Sequence, residues 1–305
     1  MPRRSFFFLI AMSALLALGF TSARASRHHH SVNISGGPRQ PATACSDLRI
    51  RFDDQDAVVR SEERTLTKAE AAVLQVEPHT NGGVQVVGWD NANYSVTACK
   101  AAAASGDAER ILSEITMSIE GGRVSTKGPG DDDEWTVYLL IRTPKSATLD
   151  LETMNGPLSF YDVEGKLTAR AHNGPISLKN FSGDAEITAV NGPISLDRSR
   201  GSVRIHTENG PISVELEGTT WSGTGLTADA KNGPVTLMVP SGYQSSFVVE
   251  STNYAPVSCK ASICENARKT WDDEHRRIEF GNSPAMIRLS TVNGPVSVRE
   301  PREKL

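Results

Sequence analysis

NGPISLKNFSGDAEITAV (173–190) is followed directly by NGPISLDRSRGSVRIHTE (191–208), and a third NGPIS begins at Asn209. The triplet Asn-Gly-Pro begins at Asn155, Asn173, Asn191, Asn209, Asn232 and Asn293. The first three intervals are 18 residues each, and the fourth is 23. A degenerate form, Asn253-Tyr-Ala-Pro256, divides the last interval into 21 and 40 residues. Repetition at such a period is the signature of a protein built from stacked units.

Each unit contains two short stretches in which apolar and polar residues alternate. In the second unit Ile176 and Leu178 flank Ser177, and a glycine, Gly183, then precedes a second alternating stretch. Alternation with a period of two is typical of strands with one buried face. Two such strands cannot bury that face alone, but units stacked in register can. The sequence therefore predicts an all-β protein, a parallel β-solenoid with coils of roughly 18 residues, preceded by a region of short strands.

The division of 18 residues into three sixes favours a three-sided coil. An antiparallel sandwich is the alternative fold, because short strands do not by themselves determine parallel pairing. Within the stack, Glu186 and Arg204 fall at equivalent positions of neighbouring units, which predicts a cross-strand ion pair.

The triplet itself has architectural reasons to recur. Asn and Gly tolerate left-handed backbone angles, so together they form a corner. Proline lacks an N–H and suits the first position after a corner. Stacked asparagines can pass amide hydrogen bonds from coil to coil. We therefore predict a structural corner ladder formed by Asn155, Asn173, Asn191, Asn209, Asn232 and Asn293. The other hypothesis is a linear ligand bound along an Asn or Ser row.

Composition divides the chain into five segments. Residues 1–25 are predicted to be a signal peptide and 26–44 a flexible lead-in rich in His, Ser, Gly and Pro. Residues 45–143 form a strand-rich cap with one short helix, for which Ser105 or Asp107 is the candidate N-cap. The repeats occupy 144–299, with an insert at about 259–282, and a charged tail follows at 300–305.

The N-terminus has the pattern of a secretory signal. Arg3 and Arg4 precede an apolar stretch from Phe6 to Phe20, and Ala23-Arg24-Ala25 fits a cleavage site. An uncleaved membrane anchor is the alternative. Cleavage after Ala25 removes three arginines, so the formal charge changes from −4 to −7. This charge gives no reason to expect nucleic acid as a partner. The sequence predicts an extracytoplasmic protein (periplasm, cell surface or secreted) with no membrane span after cleavage.

Four cysteines allow three disulfide connectivities. Cys259 and Cys264 enclose a very short loop, which favours their pairing, and Cys45 with Cys99 follows by exclusion. Disulfides are typical of oxidising compartments.

Several stretches resemble the DUF4097 family, whose members are described as a "putative adhesin". The resemblance rests on VQVVGWDNANYSVTACKAA (84–102), SGDAERILSEITMSIE (105–120), VYLLIRTPKSATLDLETMNGPLSF (137–160) and MIRLSTVNGPVSV (286–298). It covers most of the chain after about residue 48, except the stretch CKASICENARKTWDDEHRR of the insert. The resemblance implies a β-helix-like, secreted or envelope protein without established catalytic residues.

The residues themselves also give little sign of catalysis. No GxSxG, HExxH or phosphate-loop motif occurs, and no carboxylate pair recurs on adjacent coils. His28–His30 and Asp131–Glu134 are interpreted as solvated segments rather than metal sites. Asp272–His275 is interpreted as a surface loop, with a site of unassigned type as the alternative. The sequence therefore predicts no catalytic residue, no cofactor and no metal site.

Three functional hypotheses follow. The first is a non-enzymatic, adhesin-like protein whose solenoid is a scaffold for an envelope protein or glycan. The second is a β-helix that binds or cleaves polysaccharide. The third is an envelope scaffold that self-associates through exposed strand edges.

Overall fold

The computed structural model describes residues 32–35, 40–104, 107–130, 134–253, 255–272, 275–282 and 286–301. The predicted signal peptide and the His28–His30 run lie outside these residues. Within them the chain is mostly β, with one α-helix and two short 3-10 helices. No helix in the described ranges is long and apolar enough to cross a membrane.

The region before the repeats contains ten strands and the α-helix. The strands are β1 (Val32–Ser35), β2 (Arg49–Phe52), β3 (Gln55–Asp56), β4 (Val58–Thr67), β5 (Leu74–Glu77), β6 (Val84–Trp89), β7 (Asn93–Ala102), β8 (Thr116–Glu120), β9 (Arg123–Lys127) and β10 (Trp135–Pro144). The helix, α1 (Ala108–Glu114), buries Ala108, Ile111 and Leu112. Asp107 occupies its N-cap position without a side-chain cap hydrogen bond, and Ser105 lies outside the described residues.

The repeats supply the remaining strands. They are β11 (Ala147–Asn155), β12 (Leu158–Tyr161), β13 (Glu164–Asn173), β14 (Ile176–Lys179), β15 (Ser182–Asn191), β16 (Ile194–Asp197), β17 (Arg200–Asn209), β18 (Ile212–Glu215), β19 (Gly225–Asn232), β20 (Val235–Met238), β21 (Phe247–Thr252), β22 (Val257–Cys259), β23 (Arg268–Trp271), β24 (His275–Phe280), β25 (Ile287–Asn293) and β26 (Val296–Arg299).

Each clean repeat has two strands, so the prediction of a three-sided coil is wrong. A short strand follows the proline, and a long strand runs through the glycine turn to the next asparagine, because the alternation continues across both stretches. Short strands join an 11-stranded sheet in the order β22-β26-β20-β18-β16-β14-β12-β6-β10-β7-β4, here the short-strand sheet. Long strands join a 12-stranded sheet in the order β23-β24-β21-β25-β19-β17-β15-β13-β11-β5-β9-β8, here the long-strand sheet.

Successive repeats pair in parallel and in register. Ile176 lies beside Ile194, and Ile194 beside Ile212, so like residues form continuous rows. The inward rows of both sheets form one buried cluster that runs through the repeats. Phe160 and Phe181 are among its largest fully buried side chains. Burial of apolar rows between the two sheets is what stabilises units that could not fold singly.

The glycine of each triplet is required by close approach of neighbouring backbones. A Cβ added at Gly192 would lie 2.2 Å from the carbonyl oxygen of Gly174, and one added at Gly174 would lie 2.3 Å from that of Gly156. Atoms cannot approach this closely, so any side chain would force the coils apart. The column of glycines therefore sets how tightly the corners stack.

The stack begins before the predicted repeat region. Strands β5 and β6 pair in parallel with β11 and β12, and they form the first coil. Its corner is Asn81-Gly82, on which Gly156 stacks. Residues 74–89, within the segment predicted to be a cap, therefore belong to the stack.

Antiparallel strands lie beyond both ends of the parallel stack. At one end β10 and β9 still pair in parallel with β6 and β5, and antiparallel pairing begins beyond them, where β7 pairs with β10, β4 with β7 and β8 with β9. At the other end the insert forms the antiparallel hairpin β23–β24, which pairs with β21. A 3-10 helix, Ser262–Glu265, buries Ile263 and Cys264 there. Ser262 donates to the Glu300 carboxylate from its hydroxyl (2.6 Å) and amide (3.1 Å), and these bonds hold the pKa of Glu300 below its ordinary value.

The predicted lead-in contains ordered structure. Strand β1 pairs with β2 in a small antiparallel sheet, which differs from the flexible segment expected for 26–44. Val32 and Ile34 pack on buried apolar residues beside β7. Their spacing of two residues is the alternation typical of a strand, although the surrounding residues are polar. The amide N–H of Ala42 donates to Gln85 Oε1 (2.9 Å), and Gln85 Nε2 donates back to the Ala42 carbonyl (2.8 Å).

Candidate interaction surface

The corner asparagines form one hydrogen-bonded column. In each step the side-chain Nδ2 of one residue donates to the Oδ1 of its neighbour. The distances are 2.8 Å from Asn173 to Asn155, 2.9 Å from Asn191 to Asn173, 3.0 Å from Asn209 to Asn191, 3.0 Å from Asn232 to Asn209 and 2.9 Å from Asn293 to Asn232. Two further asparagines extend the column, because Asn155 donates to Asn81 (3.1 Å) and Asn253 donates to Asn293 (2.6 Å).

This column has a structural role. Each interior asparagine donates one of its two amide N–H groups and accepts one hydrogen bond within the column, which fixes the orientation of its side chain. The side chains of Asn173, Asn191 and Asn209 remain exposed to solvent. The column therefore fixes the register of the coils at one corner, and the larger surfaces available for binding are the outer faces of the two sheets.

The outer face of the short-strand sheet carries a row of hydroxyl groups, here the hydroxyl row. Its members share one register position: Ser159, Ser177, Ser195, Ser213, Thr236, Ser297 and Ser258. Ser177 Oγ donates to Ser159 Oγ at 3.3 Å. The triplet prolines lie just before this row and are mostly exposed. Small side chains in register on parallel strands give a flat strip, along which hydroxyls repeat at about the 4.8 Å strand spacing. The second outward position of each short strand carries a larger side chain, as at Tyr161, Lys179, Asp197 and Glu215.

The N-terminal segment covers one end of this face. Between them is a cavity of about 190 Å³, whose lining includes Gln40, Gln85, Tyr138, Ser159 and Tyr161. Tyr138 is almost completely buried. Burial raises the pKa of its phenol, with a smaller contribution from Tyr161. The hydroxyl row is therefore accessible to a partner only on the coils beyond Ser159.

The outer face of the long-strand sheet is charged and mixed. Arg170 Nη1 lies 2.8 Å from Asp150 Oδ1, and Lys231 Nζ lies 3.4 Å from Glu208 Oε2. Glu186 and Arg204 lie directly opposite each other on β15 and β17. No nitrogen–oxygen pair of these two comes within 4.0 Å in the described structure, so the predicted ion pair is wrong. Direct opposition on a sheet does not ensure an ion pair, because long exposed side chains have other rotamers available.

A cleft of about 300 Å³ opens on this face near the end of the regular repeats. Its polar side chains are Ser202, Arg204, Thr224, Thr227 and Arg288. Gly225 lies beside Ser202 in the next strand and contributes no side chain, so the outward row has a gap there. Strand β19 begins at Gly225, whereas β17 begins at Arg200, because the five additional residues of this repeat leave the sheet before Gly225.

The remaining sequence-predicted residues have simple placements. Cys45 and Cys99 form a disulfide, and so do Cys259 and Cys264. Such bonds fit a protein outside the cytoplasm. Asp131–Asp133, Asp273 and Glu274 lie outside the described residues. No group of His, Cys, Asp or Glu side chains able to hold a metal occurs within the described ranges.

Sequence reasoning missed the cleft and part of the column. Asn81 was not among the predicted column residues, although Asn81-Gly82 followed by Val84 and Val86 has the spacing of a repeat corner. The cleft joins residues of β17, β19 and β25, and the pairing of β19 with β25 spans some 60 positions. No local pattern could have indicated it.

Comparisons with known proteins give only remote similarities. No family model matches the chain, and no curated protein matches it. Among solved structures, a "putative cell adhesion protein" from Clostridium sporogenes is 9% identical with a TM-score of 0.34, covering 80% of this chain and 100% of its own. A "putative adhesin" from Bacteroides fragilis is 10% identical with a TM-score of 0.39, covering 80% and 97%. A "putative lipid binding protein" from Parabacteroides distasonis is 9% identical with a TM-score of 0.33, covering 79% and 96%. Similarity at this level carries no argument about function.

Proposed function

We propose that this chain is a non-enzymatic, adhesin-like protein of the DUF4097 type. In this proposal the parallel strands of its two sheets form a β-solenoid that serves as an interaction scaffold. The observation that carries the proposal is the in-register outer face of each sheet, in which equivalent side chains form rows that cross several coils. Such rows suit an extended partner, which can make the same contact on successive coils.

Rigidity supports this role. The asparagine column, the stacked glycines and the continuous core hold each coil at a fixed distance from the next. A surface that is already ordered loses little conformational entropy when a partner binds. The flat hydroxyl row and the charged face then offer two different chemistries on one scaffold.

The proposed location is the periplasm, cell surface or medium. The two disulfides require an oxidising compartment to persist, in agreement with the predicted signal peptide at 1–25. We take the partner to be an envelope protein or glycan and not nucleic acid, because the predicted mature charge is negative.

Bead adhesion tests the proposal. Beads coated with the mature protein are applied to whole bacterial cells and to immobilised envelope polysaccharides, and retention is measured under flow. One variant places lysines on the short-strand face (Ser177→Lys, Ser195→Lys and Ser213→Lys). The matched variant places three lysines on the long-strand face (Thr148→Lys, Thr168→Lys and Thr188→Lys). We expect retention of the native protein and loss of about tenfold or more in one variant only.

The same samples are assayed for new reducing ends and unsaturated sugars. Polysaccharide cleavage by the native protein would overturn the non-enzymatic assignment. Absence of retention on every surface, or equal retention by both variants and the native protein, would overturn the scaffold function.

A further inference from the structure

We propose that the cleft formed by Ser202, Arg204, Thr224, Thr227 and Arg288 binds the oxyanion of an acidic sugar, such as a uronic acid residue in a glycan. This site goes beyond the proposed scaffold function, because a local cleft can bind its ligand whichever outer face contacts the main partner. The proposal rests on the placement of two guanidinium groups, the gap between them and the free hydrogen-bonding capacity of the walls.

The two arginines lie on either side of one strand. Arg204 on β17 and Arg288 on β25 are both register partners of Thr227 on β19. Two strand spacings, about 9.6 Å, therefore separate their backbones. Both side chains line the cleft and are exposed. A carboxylate, sulfate or phosphate group placed over Thr227 is within reach of both guanidinium groups, which bind planar and tetrahedral oxyanions through paired N–H donors.

Neither arginine is neutralised by an ion pair in the described structure. Glu186 lies opposite Arg204, yet no nitrogen–oxygen pair of the two is within 4.0 Å. Asp229, two positions after Thr227, keeps its charge and accepts a hydrogen bond from Ser290, and in the described structure it forms no ion pair within 4.0 Å with either arginine. By contrast, Arg170 on the same face is paired with Asp150. The positive charge at the cleft therefore remains available to an anion.

The walls provide hydroxyl groups beside the arginines. Among the described residues, Ser202, Thr224 and Thr227 make no side-chain hydrogen bond, although all three line the cleft. Because a hydroxyl group can both donate and accept, these three complement sugar hydroxyls adjacent to an anionic group. A free inorganic ion would engage the arginines and leave most of this capacity unused, so the arrangement favours an acidic sugar.

The gap in the outward row gives the ligand room. Gly225 lies between Ser202 and Met286 in the position where neighbouring coils carry a side chain such as Asp184 or Lys166. The resulting volume of about 300 Å³ accommodates a single sugar residue, and the open cleft lets a chain continue beyond it.

Titration by NMR of the full mature chain tests the site, with glucuronate, glucose, inorganic phosphate and inorganic sulfate as probes. Arginine side-chain and backbone amide resonances report binding. We expect glucuronate to shift the resonances of Arg204, Thr227 and Arg288, phosphate and sulfate to bind more weakly, and glucose to cause no shift. Raising NaCl should weaken glucuronate binding, because the interaction is electrostatic.

Substitutions identify the groups responsible. Arg204→Gln and Arg288→Gln should each weaken glucuronate binding by about tenfold, since each removes a charge-assisted contact. The matched control is Arg170→Gln, which removes the same charge from the same face outside the cleft and should change affinity less than about twofold. Unchanged melting curves establish that the variants are folded.

Three results would overturn the proposal. They are absence of glucuronate binding, binding unaffected by both cleft substitutions, and an equal loss in the Arg170→Gln control. Phosphate binding as tight as glucuronate binding would overturn the assignment to a sugar. None of these results bears on bead adhesion, so failure of this site and failure of the scaffold function can be distinguished.

Discussion

The side-chain amide of Asn293 donates to Oδ1 of Asn232 at 2.9 Å, although the two residues are 61 positions apart in the chain. Asn253, which lies between them in sequence, donates to Asn293 from the other side. The strands follow the same order, since β25 lies between β19 and β21, and β26 lies between β20 and β22. The C-terminal repeat is therefore an internal coil, inserted between two coils that precede it in the chain.

Truncation after Ala285 should destabilise the coil formed by β21 and β22. Those strands lose their parallel partners β25 and β26, and the buried side chains of Ile287, Leu289, Val296 and Val298 leave the core. Hydrogen exchange with mass spectrometry should show rapid exchange in 247–259. Truncation after Pro301 is the control and should leave this segment protected. Protection of 247–259 in the shorter chain would contradict the inserted order.

Substitution of Asn191 tests the amide column. Asn191 donates to Asn173 and accepts from Asn209, so Asn191→Ala removes two hydrogen bonds. We expect the free energy of unfolding to fall by about 1–2 kcal/mol, the usual range for two partly exposed bonds. Asn191→Asp retains the acceptor for Asn209 and should cost less.

The control for the column is Thr188→Ala on the same coil, where no side-chain hydrogen bond is lost and the change should stay within about 0.5 kcal/mol. Urea unfolding measures all three variants. Equal stabilities of Asn191→Ala and Thr188→Ala would mean that the amide column does not contribute.

Replacing a glycine of the stacked column by alanine should lower the free energy of unfolding more than the loss of an amide from the asparagine column does. In Gly192→Ala the new Cβ would lie 2.2 Å from the carbonyl oxygen of Gly174, and backbone rather than a flexible side chain would have to move. We expect a loss of about 2 kcal/mol or more, of the size caused by steric strain in a packed region. Gly130→Ala is the matched change, because its Cβ would meet nothing within 4 Å. In thermal denaturation, the melting temperature of Gly192→Ala should be clearly lower than that of Gly130→Ala.

The sequence predicted the structure within the repeats far better than the structure of the regions before and after them. Alternation around Ile176 and Leu178 predicts which side chains face inward, and the 18-residue spacing of the triplets predicts the register. Both features can be identified within one repeat and the repeat that follows it. The predicted number of strands per coil was wrong, since residues 179–184 do not form a third side. Lys179 ends β14, Asn180 and Phe181 form the turn, and Ser182 begins β15.

The order of coils near the C-terminus and the cleft could not be predicted for a different physical reason. Both depend on pairing between β19 and β25, and a sequence period carries no information about which distant units become neighbours. The strand at Val32–Ser35 is similar, because its burial depends on apolar residues supplied by β2 and β7. Local patterns determined the units, and long-range packing determined their arrangement.

The two disulfides should contribute unequally to stability. Cys45 and Cys99 are 54 positions apart, whereas Cys259 and Cys264 are 5 apart. In the chain-entropy model, the longer loop predicts about 4 kcal/mol and the shorter about 2 kcal/mol. We therefore expect the Cys45→Ala/Cys99→Ala pair to lower the urea midpoint more than the Cys259→Ala/Cys264→Ala pair. The reverse order would show that the short bridge acts mainly by holding the end of the stack, where Cys264 is buried.

Removal of one whole coil should leave a folded protein. Deletion of 173–190 brings Asn191 to the place of Asn173, so its amide reaches Asn155, Gly192 stacks on Gly156, and the inward rows continue without a change of face. We expect a cooperative unfolding transition with a modestly lower midpoint, because one coil of buried surface is lost.

A single alanine inserted after Ile187 is the matched perturbation. It shifts the following residues of β15 by one position and turns the apolar face toward solvent. Circular dichroism melts should show cooperative unfolding for the deletion and severe destabilisation for the insertion. If the two proteins unfold alike, the coils are not interchangeable units and the proposed solenoid is wrong.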